Sequence, residues 1–497
     1  MSALKKLAGQ TVIYGMGHIL PRILNFIVMT IYLTYRLPDT RDFGIFSDLY
    51  ANSTIILTLM VFRMDTAYFR FGSKQDESSK HKAYATAFFP MALFSAVLTL
   101  CLLIFNQQIA AALGYADRPD YISWFAWILG LDAFTTLIYA KFRLDERPLR
   151  FLMFRVANVV FTVTFLLFFL EVLPRFFPEA KIWSDNFFGS KKDLDYAFIS
   201  NLLATIFVFV LMIPEMLKIP LQFDKPLYKK MLTYAFPLVI VGVSGTINQY
   251  ISTPLQKYFL NGTIDTNLGQ AGIYSAAAKL AIILSLFTTA FNYASEPFFF
   301  NNAAKEDSKD IYGKVALAYT IFAGLVVLGT YFYIDLVIVL IGEGYRSGVK
   351  VVPVLLMSYL FLGLFYNFSI WYRLIDKTWW GAYNSMVASI VTLVVSIGLL
   401  PVIGYMASAW ASLACFLFSA ISCYRAGQKY FPISYPIREI IQYILVISIL
   451  LIISWGIRWY FKGSLWTILL CNTSLMALFI GFIYAKEKKW IFAVFNR

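Results

Sequence analysis

The 497-residue chain is 60% hydrophobic and only 14% charged, where soluble domains run at roughly 45–50% and about 25%. A soluble fold of this size buries no more than about 75% of its surface, so lipid is the solvent for most of this chain, and a soluble enzyme on a membrane anchor is excluded. The formal charge of +14 does not mark a nucleic-acid binder, because the basic residues stand in short clusters between apolar runs, which is how orientation is encoded in membrane proteins.

A hydrocarbon core of ~30 Å takes ~20 apolar residues per helix. On that measure the predicted spans are 11–35, 44–66, 83–105, 121–140, 151–173, 197–216, 234–258, 271–299, 314–340, 348–373, 379–399, 402–424, 437–458 and 465–485. This reading gives an all-α polytopic membrane protein of about fourteen transmembrane helices. The first run follows Lys5 and Lys6, but it is too long for a signal-peptide core and is interrupted by Pro21 and Arg22, so it is expected to stay as a membrane helix. Residues 44–71 and 271–299 exceed one span, and those helices are expected to tilt or project. Lysine and arginine crowd 70–82, 141–150, 217–233, 300–314, 425–438 and the tail 486–497 more than the alternate connections, which predicts cytoplasmic termini at both ends. The longest outside loop, 174–196, is too short for a soluble domain.

The chain also repeats itself. Asp39-Thr40 leads into Gly44-Ile45-Phe46-Ser47, and Asp265-Thr266 leads into Gly272-Ile273-Tyr274-Ser275. From Gly44 and Gly272 the two long helices run in step to the endings 66–71 and 294–299. Two six-helix halves beginning on the same membrane side predict a pseudo-two-fold along the membrane normal. The expected lobes are 1–216 and 234–424, joined by a cytoplasmic linker at 217–233, with two additional helices and a basic tail over 425–497.

An ionisable group inside a bilayer costs ~2.5–3.5 kcal/mol on insertion scales and normally faces a cavity or a partner. Five basic residues, Arg22, Arg63, Arg155, Lys257 and Lys279, lie within or at the edges of spans. His18, Arg22 and Asn25 share one face of the first helix; a cavity role for Arg22 is preferred over a carboxylate pair that merely locks two helices. In the second helix Asp48, Asn52, Arg63, Thr66 and Arg70 fall in one sector, with snorkelling the bland alternative for Arg63 and Arg70. Asp65 points elsewhere, toward a neighbouring helix. The seventh helix carries Asn248, Gln249, Ser252, Thr253, Gln256 and Lys257, and the eighth Ser275, Lys279, Ser285, Thr289, Asn292 and Glu296. Glu296 precedes Pro297 and reads equally as hinge, proton site or salt-bridge partner. The polar faces thus gather on the first two helices of each half, as expected of a shared central cavity. Its excess charge is positive, which suits a phosphate or pyrophosphate group.

Other chemistries find no motif. There is no Walker A sequence, so the chain does not itself hydrolyse ATP, and HExxH and GxSxG are absent. The two histidines, His18 and His81, are too few for a histidine-based metal site, and the four cysteines sit singly in apolar runs, as packing residues do. No cofactor and no metal are expected.

The segments TVIYGMGHILPRILNFI, GIFSDLYANS, RMDTAYFRF, KFRLDERPLRF and GIYSAAAKLAIILSLFTTAFNYASEPFFF resemble those of Wzx-type polysaccharide or O-antigen flippases. These belong to the multidrug/oligosaccharidyl-lipid/polysaccharide (MOP) superfamily, with the lipid II flippases and the MATE multidrug exporters. The resemblance covers essentially the whole chain. It implies two six-helix lobes around a central cavity, alternating access, and an undecaprenyl-pyrophosphate-linked oligosaccharide as cargo in the bacterial inner membrane. It implies basic cavity residues on the pyrophosphate, with Arg22 the best match, then Lys279 and Arg63; Lys257 completes the basic set. His18, Asn25, Asp48, Asn52, Gln249, Ser252, Thr289 and Asn292 are the candidate polar lining, and Asp65 and Glu296 the candidates for ion coupling or gating. Proton or sodium coupling is usual in the superfamily. The expected partners are the lipid-linked oligosaccharide, the bilayer and a polysaccharide polymerase, with no nucleic acid, and the chain is expected to act as a monomer.

Three other readings compete. A MATE-like drug antiporter would want an acidic cavity for cationic substrates. A membrane-embedded polymerase or ligase would want a large outer loop with catalytic arginines or histidines. A structural scaffold would leave the buried charge unexplained.

Overall fold

The computed structural model describes residues 20–21, 23–72, 77–190, 192–218, 222–302, 308–375, 377–461 and 463–495. Every regular element among them is helical. Twelve helices are long and apolar enough to cross a membrane, from Thr40–Gly72 to Leu465–Lys488, and the bent pair Ile264–Leu280 and Ile282–Asn292 makes a thirteenth if counted as one span. Each predicted run from 44 onward corresponds to one of these. The remaining run, 11–35, begins outside the described residues. Its described part includes a π-helical stretch, Ile27–Tyr32, followed by the short helix Leu33–Arg36.

The chain divides into two compact units, Met1–Gly272 and Ile273–Arg497. The lobes expected from the repeat meet earlier, at 217–233. Compactness places the divide later because Lys225–Tyr250 and Ser252–Phe259 pack on the second-span helix.

Local chemistry sets the helix ends. Asp39 caps Thr40–Val61, its carboxylate accepting the Arg41 backbone N–H at 2.9 Å, and Asp224 caps Lys225–Tyr250 through the Leu227 N–H at 2.9 Å. Pro119 and Pro148 occupy the first turns of their helices, where a missing N–H leaves no bond unmade.

Large apolar side chains such as Leu93, Met153, Ile452 and Trp455 stand exposed on the helix surfaces, as lipid-facing residues do. The core of the first unit gathers Met60, Met64, Tyr68, Tyr84, Leu137 and Met231. In the second unit small residues admit large rings. A Cβ at Gly427 would lie 2.8 Å from the Trp371 ring, whose indole N–H donates to the Cys423 carbonyl at 3.1 Å. A Cβ at Gly363 would collide with the Tyr319 hydroxyl.

Candidate functional site

The second-span helix is broken. Thr40–Val61 ends at Phe62, Met64–Gly72 begins after Arg63, and both linking residues adopt left-handed backbone, φ 49° and 53°. Two non-glycine residues in that region cost about 1–3 kcal/mol each, so the surrounding packing holds the break in place. The break lays the Arg63 guanidinium against Gly242, where an added Cβ would lie 2.6 Å from both Nε and Nη2. Among the described residues Arg63 has no hydrogen bond or ion pair through its side chain. A half-buried guanidinium with open N–H groups is a ready hydrogen-bond donor to phosphate oxygens.

Toward the Thr40 end of the same helix the charges are paired. Lys257 and Asp48 are both fully buried, with Nζ 2.8 Å from Oδ2. The Tyr115 hydroxyl donates to that same oxygen at 2.6 Å, and the Lys257 ammonium sits 4.1 Å above the Tyr115 ring. Asn52 donates to Asp48 Oδ1 at 3.2 Å, and Asn267 donates to the Lys257 carbonyl at 3.0 Å. Lys257 was expected to meet a phosphate; in this conformation it is engaged by Asp48. Nearby, Arg41 Nε meets Asp265 Oδ1 at 2.8 Å, and Gly44 and Gly272 let the two helices touch. These contacts tie the helices together at that end of the first unit.

Lys279 stands at the end of Ile264–Leu280, just before the 49° bend to Ile282. It lies deep among protein atoms, is still partly accessible, and has no hydrogen bond or ion pair among the described residues. Asp65 is held 3.9 Å from Arg143 Nη2 and so joins two helices. Asn25 and Gln249 are exposed, and Ser252 is buried. Thr289 donates to the Ser285 carbonyl of its own helix at 2.8 Å, while Asn292 is half-buried. His18, Arg22 and the Glu296 side chain lie outside the described residues.

Two in-span groups stand out that the stripe reading did not assign to the cavity. Arg155, in the Pro148–Leu167 helix, stacks 4.1 Å from the Tyr139 ring, and its buried Nε finds no acceptor. Asp132, midway along Pro119–Leu144, lies deep yet partly accessible; its carboxylate has no partner among the described residues. Arg155 acts on it electrostatically, as Asp132 does on Tyr50 and Tyr139. Asp132 was visible as a lone acid inside the run 121–140. Two π-helical stretches were not visible: Ile27–Tyr32 and Phe168–Val172 are joined where the Tyr32 hydroxyl donates to Glu171 Oε1 at 2.5 Å.

Spans of this number, holding ionisable groups with no hydrogen bond or ion pair among the described residues, define a multi-pass membrane protein with polar interior chemistry. The sequence model described as "Polysaccharide biosynthesis protein" matches residues 7–303, and the chain belongs to that family. No curated protein matches the chain in sequence. Among solved structures it is similar to a lipid II flippase MurJ in an inward closed conformation, with a TM-score of 0.71, 13% identity, and coverage of 96% of this chain and 99% of that one. It is also similar to the Vibrio cholerae MATE transporter VcmN in its bent form, with a TM-score of 0.56, 14% identity, and coverage of 88% and 98%. An outward-facing MATE transporter of the MOP superfamily matches with a TM-score of 0.54, 12% identity, and coverage of 84% and 95%. The fold is shared with these flippase and MATE transporter structures.

Proposed function

We propose that the chain flips an undecaprenyl-pyrophosphate-linked oligosaccharide across the bacterial inner membrane by alternating access, as a monomer with both termini in the cytoplasm. The observation that carries this reading is the set of in-span cations that have no hydrogen bond or ion pair among the described residues: Arg63 and Arg155 in the first unit, Lys279 in the second. Against them the described spans offer Asp132 as an unpartnered acid. An excess of in-span cations within each unit favours a pyrophosphate over the cationic drugs of an exporter. Membership of the polysaccharide biosynthesis family supports the saccharide part of the cargo. The buried Asp48–Lys257 pair, which ties two helices of the first unit together, is a contact that such a cycle could break and remake.

The test is reconstitution into liposomes with a fluorescent lipid-linked oligosaccharide. The expected result is translocation of the intact molecule. Elongation of the saccharide would point to a polymerase, and transport of cationic dyes alone to a drug antiporter; either would overturn the proposal. In cells, Arg22→Ala is expected to abolish surface polysaccharide at unchanged protein level, with Arg22→Lys rescuing only partly, because a point charge replaces a planar fork.

A further inference from the structure

A second concentration of charge lies at one membrane edge of the first unit, away from the spans' interior. Lys80–Ile104 begins there, Pro119–Leu144 ends, the helix from Pro148 begins and Asp193–Met216 ends. These four helix ends bound a cavity of ≈ 480 Å³, lined among others by Lys80, His81, Lys141, Arg147, Glu215 and Lys218.

Glu215, itself buried, anchors this cavity. Its carboxylate accepts from Arg150 Nη1 at 2.8 Å and from Lys218 Nζ at 3.1 Å, and it faces Lys141 Nζ at 3.8 Å. One negative charge therefore holds three positive ones. Lys141 is buried and lies 5.4 Å from the Tyr84 ring. Asp145 and Glu146 also border the cavity. The excess remains cationic.

The turn that brings Arg147 to this rim is strained. Glu146 adopts left-handed backbone, φ 51°, and the Arg147 N–H closes the turn on the Phe142 carbonyl at 2.8 Å. Such strain in a non-glycine residue clusters at functional positions.

The surroundings indicate what kind of anion fits. Leu217, between Glu215 and Lys218, is 81% exposed, and Leu149 and Met153 beside Arg150 are 62% and 68% exposed. These are lipid-facing side chains at the same helix ends as the cations. A soluble anion has no use for an apolar border, whereas a lipid with its phosphate in the cavity lays its acyl chains along one. Basic pockets between membrane helices hold lipid headgroups in this way.

We propose that this cavity binds the phosphate headgroup of an anionic membrane phospholipid, with Lys141, Arg147 and Lys218 supplying positive charge and Leu149 and Leu217 bordering the acyl chains. The site does not depend on what the protein transports.

The test uses the full chain purified in detergent, with phosphatidylglycerol, phosphatidylcholine or inorganic phosphate added. Thermal unfolding and lipid retention in native mass spectrometry are the readouts. Phosphatidylglycerol is expected to raise Tm and to remain bound, while phosphatidylcholine and inorganic phosphate do neither. Arg147→Gln with Lys218→Gln is expected to weaken phosphatidylglycerol binding about tenfold or more. Arg147→Lys with Lys218→Arg, and Arg425→Gln on an exposed helix face elsewhere, are expected to leave the response intact. Lys218→Gln alone, at a side chain 61% exposed, is a second test, in which Arg150 still pairs Glu215; it should weaken the response with little change of Tm in phosphatidylcholine. A full phosphatidylglycerol response in the double Gln variant would overturn the proposal. So would an equal rise in Tm with inorganic phosphate alone, which would mark a soluble-anion site.

Discussion

Gly44 and Gly272, the repeat-equivalent glycines, meet at one helix crossing: a Cβ at Gly44 would lie 1.9 Å from the Leu268 carbonyl oxygen, and a Cβ at Gly272 would lie 2.0 Å from the Thr40 carbonyl oxygen. Each helix thus presses its glycine on the other's backbone one turn earlier. That reciprocity means that neither position has room for a side chain. The expected consequence is a reversal of sign between glycines. Alanine in a helix interior normally gains about 1 kcal/mol over glycine, but overpacking against backbone costs about 1–3 kcal/mol. Gly44→Ala and Gly272→Ala should therefore lower Tm in detergent, while Gly245→Ala, where nothing lies within 4 Å, should raise it. A gain in Tm for Gly44→Ala would mean that the crossing is looser than described.

The Asp48–Lys257 pair makes a sharper energetic prediction. Both side chains are fully buried, and removing one partner of such a pair costs about 3–5 kcal/mol, because it strands the other charge. Replacing both with apolar residues of similar size is often neutral. Asp48→Leu and Lys257→Met should each lower Tm strongly, and the double variant should recover most of the loss. Transport need not recover with it. A double variant that is stable but inactive would identify the pair as part of the moving closure rather than a packing device; thermal unfolding alongside the liposome assay checks both.

How much of this was legible beforehand follows from the physics of each feature. Apolar length alone decides where a helix crosses a bilayer, so the runs from 44 onward were readable without a structure. Stripe arguments brought Asp48, Asn52 and Arg63 to one sector and placed Lys257 in a polar stretch. They could not say that Asp48 would take Lys257 while Arg63 finds no such partner among the described residues, because partner choice depends on how helices pack. The break at Phe62–Arg63 carries no glycine or proline, so no local rule announces it. The Tyr32–Glu171 bond joins two π-helical stretches whose sequences look like ordinary apolar helix. Asp132 was missed for a simpler reason. It stands alone on its span, and a search for polar stripes passes over a single acid.

Outside the spans, Asp224 gives a pH signature. The hydrogen bond from Lys82 Nζ at 2.7 Å, and then the Leu227 backbone N–H, hold its carboxyl below the usual range. A depressed folded value means that the stabilisation is present above the unfolded pKa of about 3.9 and is lost as pH falls through the lower folded value. The start of the Lys225–Tyr250 helix should therefore fray in acid before the spans do. Hydrogen exchange at Leu227 read against pH checks this, and Asp224→Asn should flatten that dependence. An unchanged profile in the variant would remove Asp224 as its cause.

Arg63 and Gly242 test the transport reading most directly, because two different substitutions should fail in the same way. Arg63→Ala removes the guanidinium, and Gly242→Ala leaves every charge in place but puts a Cβ where Nε and Nη2 now rest, at 2.6 Å. A charge-assisted hydrogen bond is worth roughly 1.5–3 kcal/mol, or about ten- to hundredfold in rate. Arg63→Ala should reduce flipping of lipid-linked oligosaccharide by that order, with Arg63→Lys intermediate. Gly242→Ala should approach the Arg63→Ala value, and adding it to Arg63→Ala should cost little more, since the group it displaces is already gone. Independent, additive losses would mean that Gly242 serves helix packing alone. Full activity in Arg63→Ala would leave the strained turn at Phe62–Arg63 as backbone geometry with no part in holding cargo.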